Sequence, residues 1–222
     1  MTQHVFRDSG EPPYMEFVGD FEAKYRAEED PWEQSGATGQ RSEYYEFSRP
    51  KLYARLHNRI PKGARGCEIG CGLGHVTKML ARRYDMVGVD VSETALKKAE
   101  HFNPGLNLRR ADITSENFLD VFESWDIPRF HFLILGQCWW YLLHKLDLVL
   151  DNALGLLMSD GYLVLSQAFL KEQNYGREIA DGFEGAVNIF IKHPRMRLLE
   201  ASQEDSGELC YYDGLIIARK VA

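Results

Sequence analysis

The 222-residue chain is 45% apolar and 27% charged, with 33 acidic against 26 basic side chains and a net charge of −7. That balance describes one compact domain with a full core; it excludes a fibre and a disordered chain, and it argues against a broad nucleic-acid surface, which needs clustered Lys and Arg, while leaving room for a local groove. The longest apolar run, residues 130–143, is interrupted by His131, Gly136 and Gln137 and falls short of the roughly 20 residues of a spanning helix, so no membrane segment is expected.

In chain order, residues 1–47 form a polar, turn-rich lead or cap segment with Pro12, Pro13 and Pro31. Its start lacks the basic and apolar regions of a secretory signal, which points to a cytoplasmic protein. Within it, the spacing of apolar residues from Tyr14 to Tyr25 predicts a short helix. Ser48 as N-cap, Pro50 in the first turn, and Leu52, Leu56 and Ile60 at helical spacing predict a second helix that stops at Pro61. This helix opens the main domain, residues 48–222. Strands at 66–70, 86–91, 106–112, 130–136 and 161–169 then alternate with helices at 75–84, 92–102, after Thr114, and at 146–158. Such alternation implies right-handed crossovers and a parallel sheet covered by helices on both faces. Residues 196–202 and 209–221 read instead as two strands joined by a polar turn, an antiparallel hairpin at the sheet edge. The stretch between residues 169 and 197 is longer than a plain crossover requires and has the place of an acceptor-shaping insertion, with Gln167, Gln173, Asn174, Tyr175 and Arg177 as candidate contacts.

Cys67, Cys71, Cys138 and Cys210 are too few and too scattered for a disulfide framework, and are expected to be reduced and mostly buried. Cys67 and Cys71 lack a second Cys or His pair to complete a zinc set, and no Asp, Glu or His cluster gathers near the fourth parallel strand, so no metal is expected.

The chemistry concentrates where the first parallel strand ends, in Glu-Ile-Gly-Cys-Gly-Leu-Gly, residues 68–74. In an open parallel sheet this is where ligands bind, and glycines there permit positive φ and close approach of a ligand to main-chain atoms. A dinucleotide fingerprint would place its third glycine at position 75, where His75 stands. The spacing E-x-G-x-G-x-G, the acidic Asp90 ending the next strand 20 residues after Gly70, and Asp112 ending the third resemble the class I S-adenosylmethionine-dependent methyltransferases. The resemblance spans about residues 64–168 and implies a Rossmann-like α/β fold: a seven-stranded, mostly parallel sheet with an antiparallel C-terminal hairpin and helices on both faces. It also implies binding of S-adenosyl-L-methionine, released as S-adenosyl-L-homocysteine. Gly70, Cys71 and Gly72 would face the cofactor, Asp90 with Val91 its ribose, Asp112 with Ile113 its adenine, and Gln137 its methionine half. Glu68 is a further cofactor-binding candidate, which in this family often buttresses the loop or meets the methionine amino group through a water.

The fourth strand lacks the N-P-P-Y or D-P-P-Y tetrapeptide of amino-methyltransferases acting on bases or glutamine amides, which disfavours DNA and protein-glutamine substrates. Trp139-Trp140-Tyr141-Leu142-Leu143 instead resembles the corresponding tract of nodulation-type small-molecule methyltransferases, as do residues 28–36 ahead of Tyr44 and Tyr45. Methyl transfer asks the protein to align a nucleophile, exclude water and, for a hydroxyl acceptor, take a proton. Trp32, Tyr44, Tyr45, Trp139, Trp140 and Tyr141 supply aromatic walls suited to a cationic sulfonium. His144 and Tyr141 are the candidate proton acceptors, His75 and His101 are helix-terminal, and His131 lies at the wrong end of its strand. The expected activity is methylation of oxygen or nitrogen on a polar small molecule: a sugar, a sugar nucleotide or a natural-product intermediate. The alternatives are an RNA or protein methyltransferase and a non-catalytic cofactor-binding module, and oligomeric state is not legible.

Overall fold

In the computed structural model, which describes residues 4–10, 15–35, 40–207 and 211–221, the chain opens with two short antiparallel strands, β1 (Phe6–Asp8) and β2 (Met15–Phe17), and a helix, α1 (Phe21–Ala27). The single helix expected from Tyr14 to Tyr25 is therefore divided. Residues 15–17 pair with β1, Gly19 at φ 73° turns the chain, and Asp20 caps α1 by accepting from the Ala23 N–H. Tyr14, Pro12, Pro13 and Cys210 lie outside the described residues.

Helix α2 (Gln40–His57) begins well before Ser48, carries Pro50 in its interior, and runs across the expected boundary at 47/48. Tyr44, Ser48, Leu52 and Leu56, spaced four apart, are all buried. This stripe holds the helix on the sheet through the proline, whose missing N–H costs one backbone bond on an exposed face. Ser48 is thus an inward-facing helix residue and not a cap.

From Arg65 the alternation is as read: β3 (Arg65–Ile69), α3 (His75–Ala81), β4 (Asp85–Asp90), α4 (Glu93–Phe102), β5 (Asn107–Arg110), α5 (Phe118–Ser124) and β6 (Phe130–Gly136). A short helix α6 (Trp139–Leu142) and one 3-10 turn lead into α7 (Leu146–Leu156), β7 (Leu157–Leu170), α8 (Gly182–Lys192), β8 (Met196–Asp205) and β9 (Tyr211–Lys220). The sheet order is β5-β4-β3-β6-β7-β9-β8, with β5 through β7 parallel and β9 antiparallel to both of its neighbours. Strand order reverses between β3 and β6, which opens a crevice above their C-terminal ends. Helices α5, α7 and α8 bury Phe122, Val149, Ala153 and Phe190 against one face of the sheet; α2 and α3 bury Leu52, Leu56 and Leu80 against the other.

Gly66 on β3 stands opposite Phe132 on β6, whose fully buried ring occupies the space a side chain would take. A Cβ at position 66 would lie 2.2 Å from that ring. Gly66→Ala is expected to lower stability by about 1–3 kcal/mol through overpacking, read as a reduced midpoint of urea unfolding. An unchanged midpoint would show that the Phe132 ring yields freely.

Candidate active site

The loop after β3 is shaped by backbone positions that favour glycine. Gly70 and Gly72 have φ of 73° and 51°, and a Cβ at Gly72 would meet the Tyr25 hydroxyl at 2.7 Å. The Gly70 and Cys71 N–H groups both donate to Val89 O, at 2.8 and 2.9 Å, and anchor the loop to β4. The Gly72 N–H donates to Asp90 Oδ2 at 2.9 Å, while Asp90 Oδ1 accepts from the Ser92 N–H at 2.9 Å. Burial pushes the Asp90 carboxyl above its ordinary value, opposed by these backbone donors. Each oxygen keeps accepting capacity beyond its one amide partner.

A cavity of about 580 Å³ opens above the ends of β3, β4, β6 and β7. Of the residues singled out in the sequence, Gly70, Asp90, Val91, Asp112, Ile113 and Gln137 line it, and so do Tyr45, Tyr141 and His144. Glu68, Cys71 and Gly72 stand behind this wall. Glu68 is buried, accepts from the Thr77 hydroxyl and is pushed up to about 7 by burial. Asp112 Oδ1 accepts from both the Thr114 N–H and hydroxyl, at 2.8 and 2.7 Å, and the buried Asn152 of α7 pins the same loop through Ile113 O and Ser115 O.

Gln137 sits in the left-handed region at φ 57°, held by its N–H on Ser166 O at 2.9 Å. Its carboxamide is spoken for at both ends: Oε1 accepts from the Ala168 N–H at 2.9 Å, and Nε2 donates to the Tyr44 hydroxyl at 3.1 Å. That hydroxyl donates in turn to the buried Asp213 carboxylate at 2.9 Å. Burial first and the Asp213 charge second push the Tyr44 phenol up. The adjacent tryptophans divide: Trp139 is fully buried core, whereas Trp140 lines the cavity and donates to Ala168 O at 3.2 Å.

The amide side chains proposed as acceptor contacts are partly committed elsewhere. Gln167 bonds the Trp139 N–H and Ala168 O, and Gln173 bonds Tyr175 O, Ala180 O and the Gly182 N–H. Asn174 and Tyr175 line the cavity, but Arg177 pairs with Asp181 at 3.1 Å and is not among its lining residues. Cys67, Cys71 and Cys138 are free and buried, and no group of three metal-ligating side chains occurs among the described residues.

The N-terminal segment roofs the cavity with aromatic rings. Phe6, Phe21 and Trp32 lie 5.7, 5.1 and 5.6 Å from Tyr141, and Phe17 lies 4.8 Å from His144. The roof is fastened to α4 at two places that the sequence did not reveal. Glu22 accepts from the Ser92 hydroxyl (2.7 Å), the Thr94 hydroxyl (2.6 Å) and the Thr94 N–H (3.2 Å), and Lys98 donates to the α1 carbonyls of Tyr25 (2.8 Å) and, just beyond the helix, Glu28 (2.7 Å). Nothing local marks Glu22 or Lys98, because their partners are some 70 residues away. Asp213 too belongs to no motif, although a lone carboxylate in the apolar strand 211–218 is the kind of signal that points to a buried polar partner.

Comparison with known proteins bears on this arrangement. Residues 67–161 match the model of a methyltransferase domain. No curated protein matches the sequence significantly. Among solved structures, the chain is similar to the N-methyltransferase NodS from Bradyrhizobium japonicum WM9 in complex with S-adenosyl-L-homocysteine, at TM-score 0.68 and 19% identity over 90% of this chain and 95% of that one. It is also similar to a putative sarcosine dimethylglycine methyltransferase from Galdieria sulphuraria (TM-score 0.61, 12% identity, 82% and 87% covered). An rRNA methylase from Streptococcus thermophilus follows (TM-score 0.55, 13% identity, 78% and 95% covered).

The hydroxyl and amide donors of Thr94 and Ser92 hold the Glu22 carboxyl down at about 2. A depressed folded value means that this fastening is complete above the ordinary carboxylate range and is lost as pH falls toward 2. Glu22→Ala is expected to speed amide hydrogen exchange across residues 15–27 by about tenfold at pH 7, with β3 and β6 unaffected. Equal exchange in both proteins would show that the roof is held by its aromatic contacts alone.

Proposed function

We propose that the protein is an S-adenosylmethionine-dependent methyltransferase, a reading supported by the methyltransferase-domain match over residues 67–161, and that it methylates nitrogen or oxygen on a small acceptor without phosphate or carboxylate groups. The observation that carries the acceptor class is charge. Among the described residues that line the cavity there is no Lys or Arg to pair with a phosphate-bearing acceptor. That argues against the sugar nucleotides and RNA left open by the sequence. The acceptor side is built instead from Tyr175, Asn174, Trp140, Tyr211 and the aromatic roof.

The cavity fits the cofactor's chemistry. The two oxygens of Asp90, oriented by the Gly72 and Ser92 amides, suit a vicinal diol, and Asp112 beside Ile113 suits an amino-substituted flat ring. Gly70 and Gln137 would border its amino-acid half. When bound, the sulfonium supplies an electrophilic methyl carbon. Around it, Tyr45 and Tyr141 line the cavity with aromatic rings of a kind that suits positive charge, and the roof of Phe6, Phe17 and Phe21 would keep water out. Gln137, clamped by Ala168 and Tyr44, gives that end of the cavity a fixed polar edge and no mobile charge. Tyr141 and His144 are the proton acceptors for a hydroxyl or ammonium donor. Burial and then the neighbouring Lys145 charge lower the His144 value, which leaves its imidazole neutral and able to accept a proton at pH 7.

Calorimetric titration with S-adenosylhomocysteine is expected to show binding that Asp90→Ala weakens by roughly 10- to 100-fold, with NADH not bound. Binding of NADH and not of the sulfur nucleoside would end this reading. In turnover assays, amines and alcohols are expected to accept methyl while their phosphorylated counterparts do not. The acid limb of the pH–rate profile should lie below the usual histidine range and disappear in His144→Gln; an unchanged limb would remove His144 as the base.

A further inference from the structure

We infer that Arg49 of α2 receives the α-carboxylate of the bound S-adenosyl ligand, an assignment that rests on the cofactor reading above. The argument begins with an unbalanced charge. S-adenosylmethionine ends in a carboxylate, yet the described walls of the main cavity hold Asp90 and Asp112 and no cationic Lys or Arg to meet it. Behind the wall formed by Gly70, Gly136 and Gln137 lies a second, small cavity of about 20 Å³, roomy enough for one water or a small polar group. Gln34, Tyr45, Gly70, Gly136 and Gln137 line both, so the small cavity is an alcove of the large one at the glycine loop.

Arg49 lines that alcove and is under-used in it. Its Nε is buried without a hydrogen-bond partner among the described residues, and its Nη2 donates to Gln34 O at 3.1 Å. The guanidinium carbon rests 4.8 Å from the centre of the Tyr45 ring. Burial lowers its value from the ordinary arginine range, opposed by the charges of Tyr45, Glu68, Asp30 and Glu46, and none of the three carboxylates makes a hydrogen bond to it. Glu68, the carboxyl group in the alcove, is engaged by the Thr77 hydroxyl, and burial raises its value to about 7. A buried guanidinium with a spare N–H is costly to leave unmatched, and a planar carboxylate is the group whose geometry fits its fork. A ligand lying along Gly70, with its ribose at Asp90, would direct its carboxylate end toward Gly136 and Gln137, which border both cavities. Neither the sequence motif nor the glycine loop marks Arg49, because it belongs to a helix before the first parallel strand.

The test compares S-adenosylhomocysteine with its decarboxylated analogue, which keeps the adenosine, thioether and amino group. Calorimetry on the unaltered protein is expected to favour S-adenosylhomocysteine by roughly 10- to 100-fold. Arg49→Gln should erase that preference by weakening S-adenosylhomocysteine alone, and Arg49→Lys, which keeps the charge but not the fork, should retain part of it. A preference that survives in Arg49→Gln overturns the assignment, as does equal binding of the two ligands by the unaltered protein. Should Arg49→Gln fail to fold, the Lys variant decides: an undiminished preference there removes the guanidinium from carboxylate recognition. Binding of neither ligand by the unaltered protein overturns the cofactor reading itself, a failure distinct from the others.

Discussion

The buried Asp90 carboxylate is the junction on which the site depends. One oxygen takes the Gly72 amide and holds the glycine loop; the other takes the Ser92 amide at the start of α4. Ser92 caps α4 by accepting from the Ala95 N–H, and its hydroxyl donates to Glu22 of the roof. One side chain thus couples the floor of the cavity, the helix that flanks it and the segment that covers it. Burying a carboxylate is unfavourable unless donors surround it, and the alternation of strand and helix supplies them: the end of β4 faces the amides of two turns at once.

A comparable logic governs the other end of the cavity. Gln137 occupies a backbone region that costs a non-glycine residue of order 1 kcal/mol or more, and its surroundings over-determine it through Ser166, Ala168 and Tyr44. The chain Gln137–Tyr44–Asp213 connects the crevice at β6 to α2 and to β9, the antiparallel strand inserted beside β7. The C-terminal hairpin is therefore more than an edge extension, since it delivers the carboxylate that orients Tyr44. Helix α2 likewise serves the site along its length, with Tyr44 and Tyr45 at the cavity wall, Arg49 in the alcove, and Leu52 and Leu56 in the core.

The roof shows how a small domain closes a site with little buried area of its own. β1 and β2 are three residues each and would not persist in isolation; packing of Phe6 and Phe17 on Tyr141 and Tyr175 gives them a surface to lie on. Two polar fastenings to α4 set where that surface sits, and apolar contact sets what it excludes.

The sequence by itself determined the parallel core and the strand-end residues that line one side of the cavity. Gly70, Asp90 and Asp112 recur at strand ends because local pattern dictates both the strand and the turn that follows, and the positions of α4 and β6 follow from period and capping alone. What only the tertiary structure decided are partnerships between residues far apart in the chain: Tyr44 with Asp213 across 169 positions, Glu22 with Ser92, and the alcove around Arg49. The same holds for the first helix reading, where periodicity from Tyr14 to Tyr25 gave way to pairing with β1, and for α2, where a buried stripe carried the helix through Pro50. In each case a local preference worth about 1–3 kcal/mol was outweighed by burial against a distant surface, and such surfaces exist only once the sheet has formed.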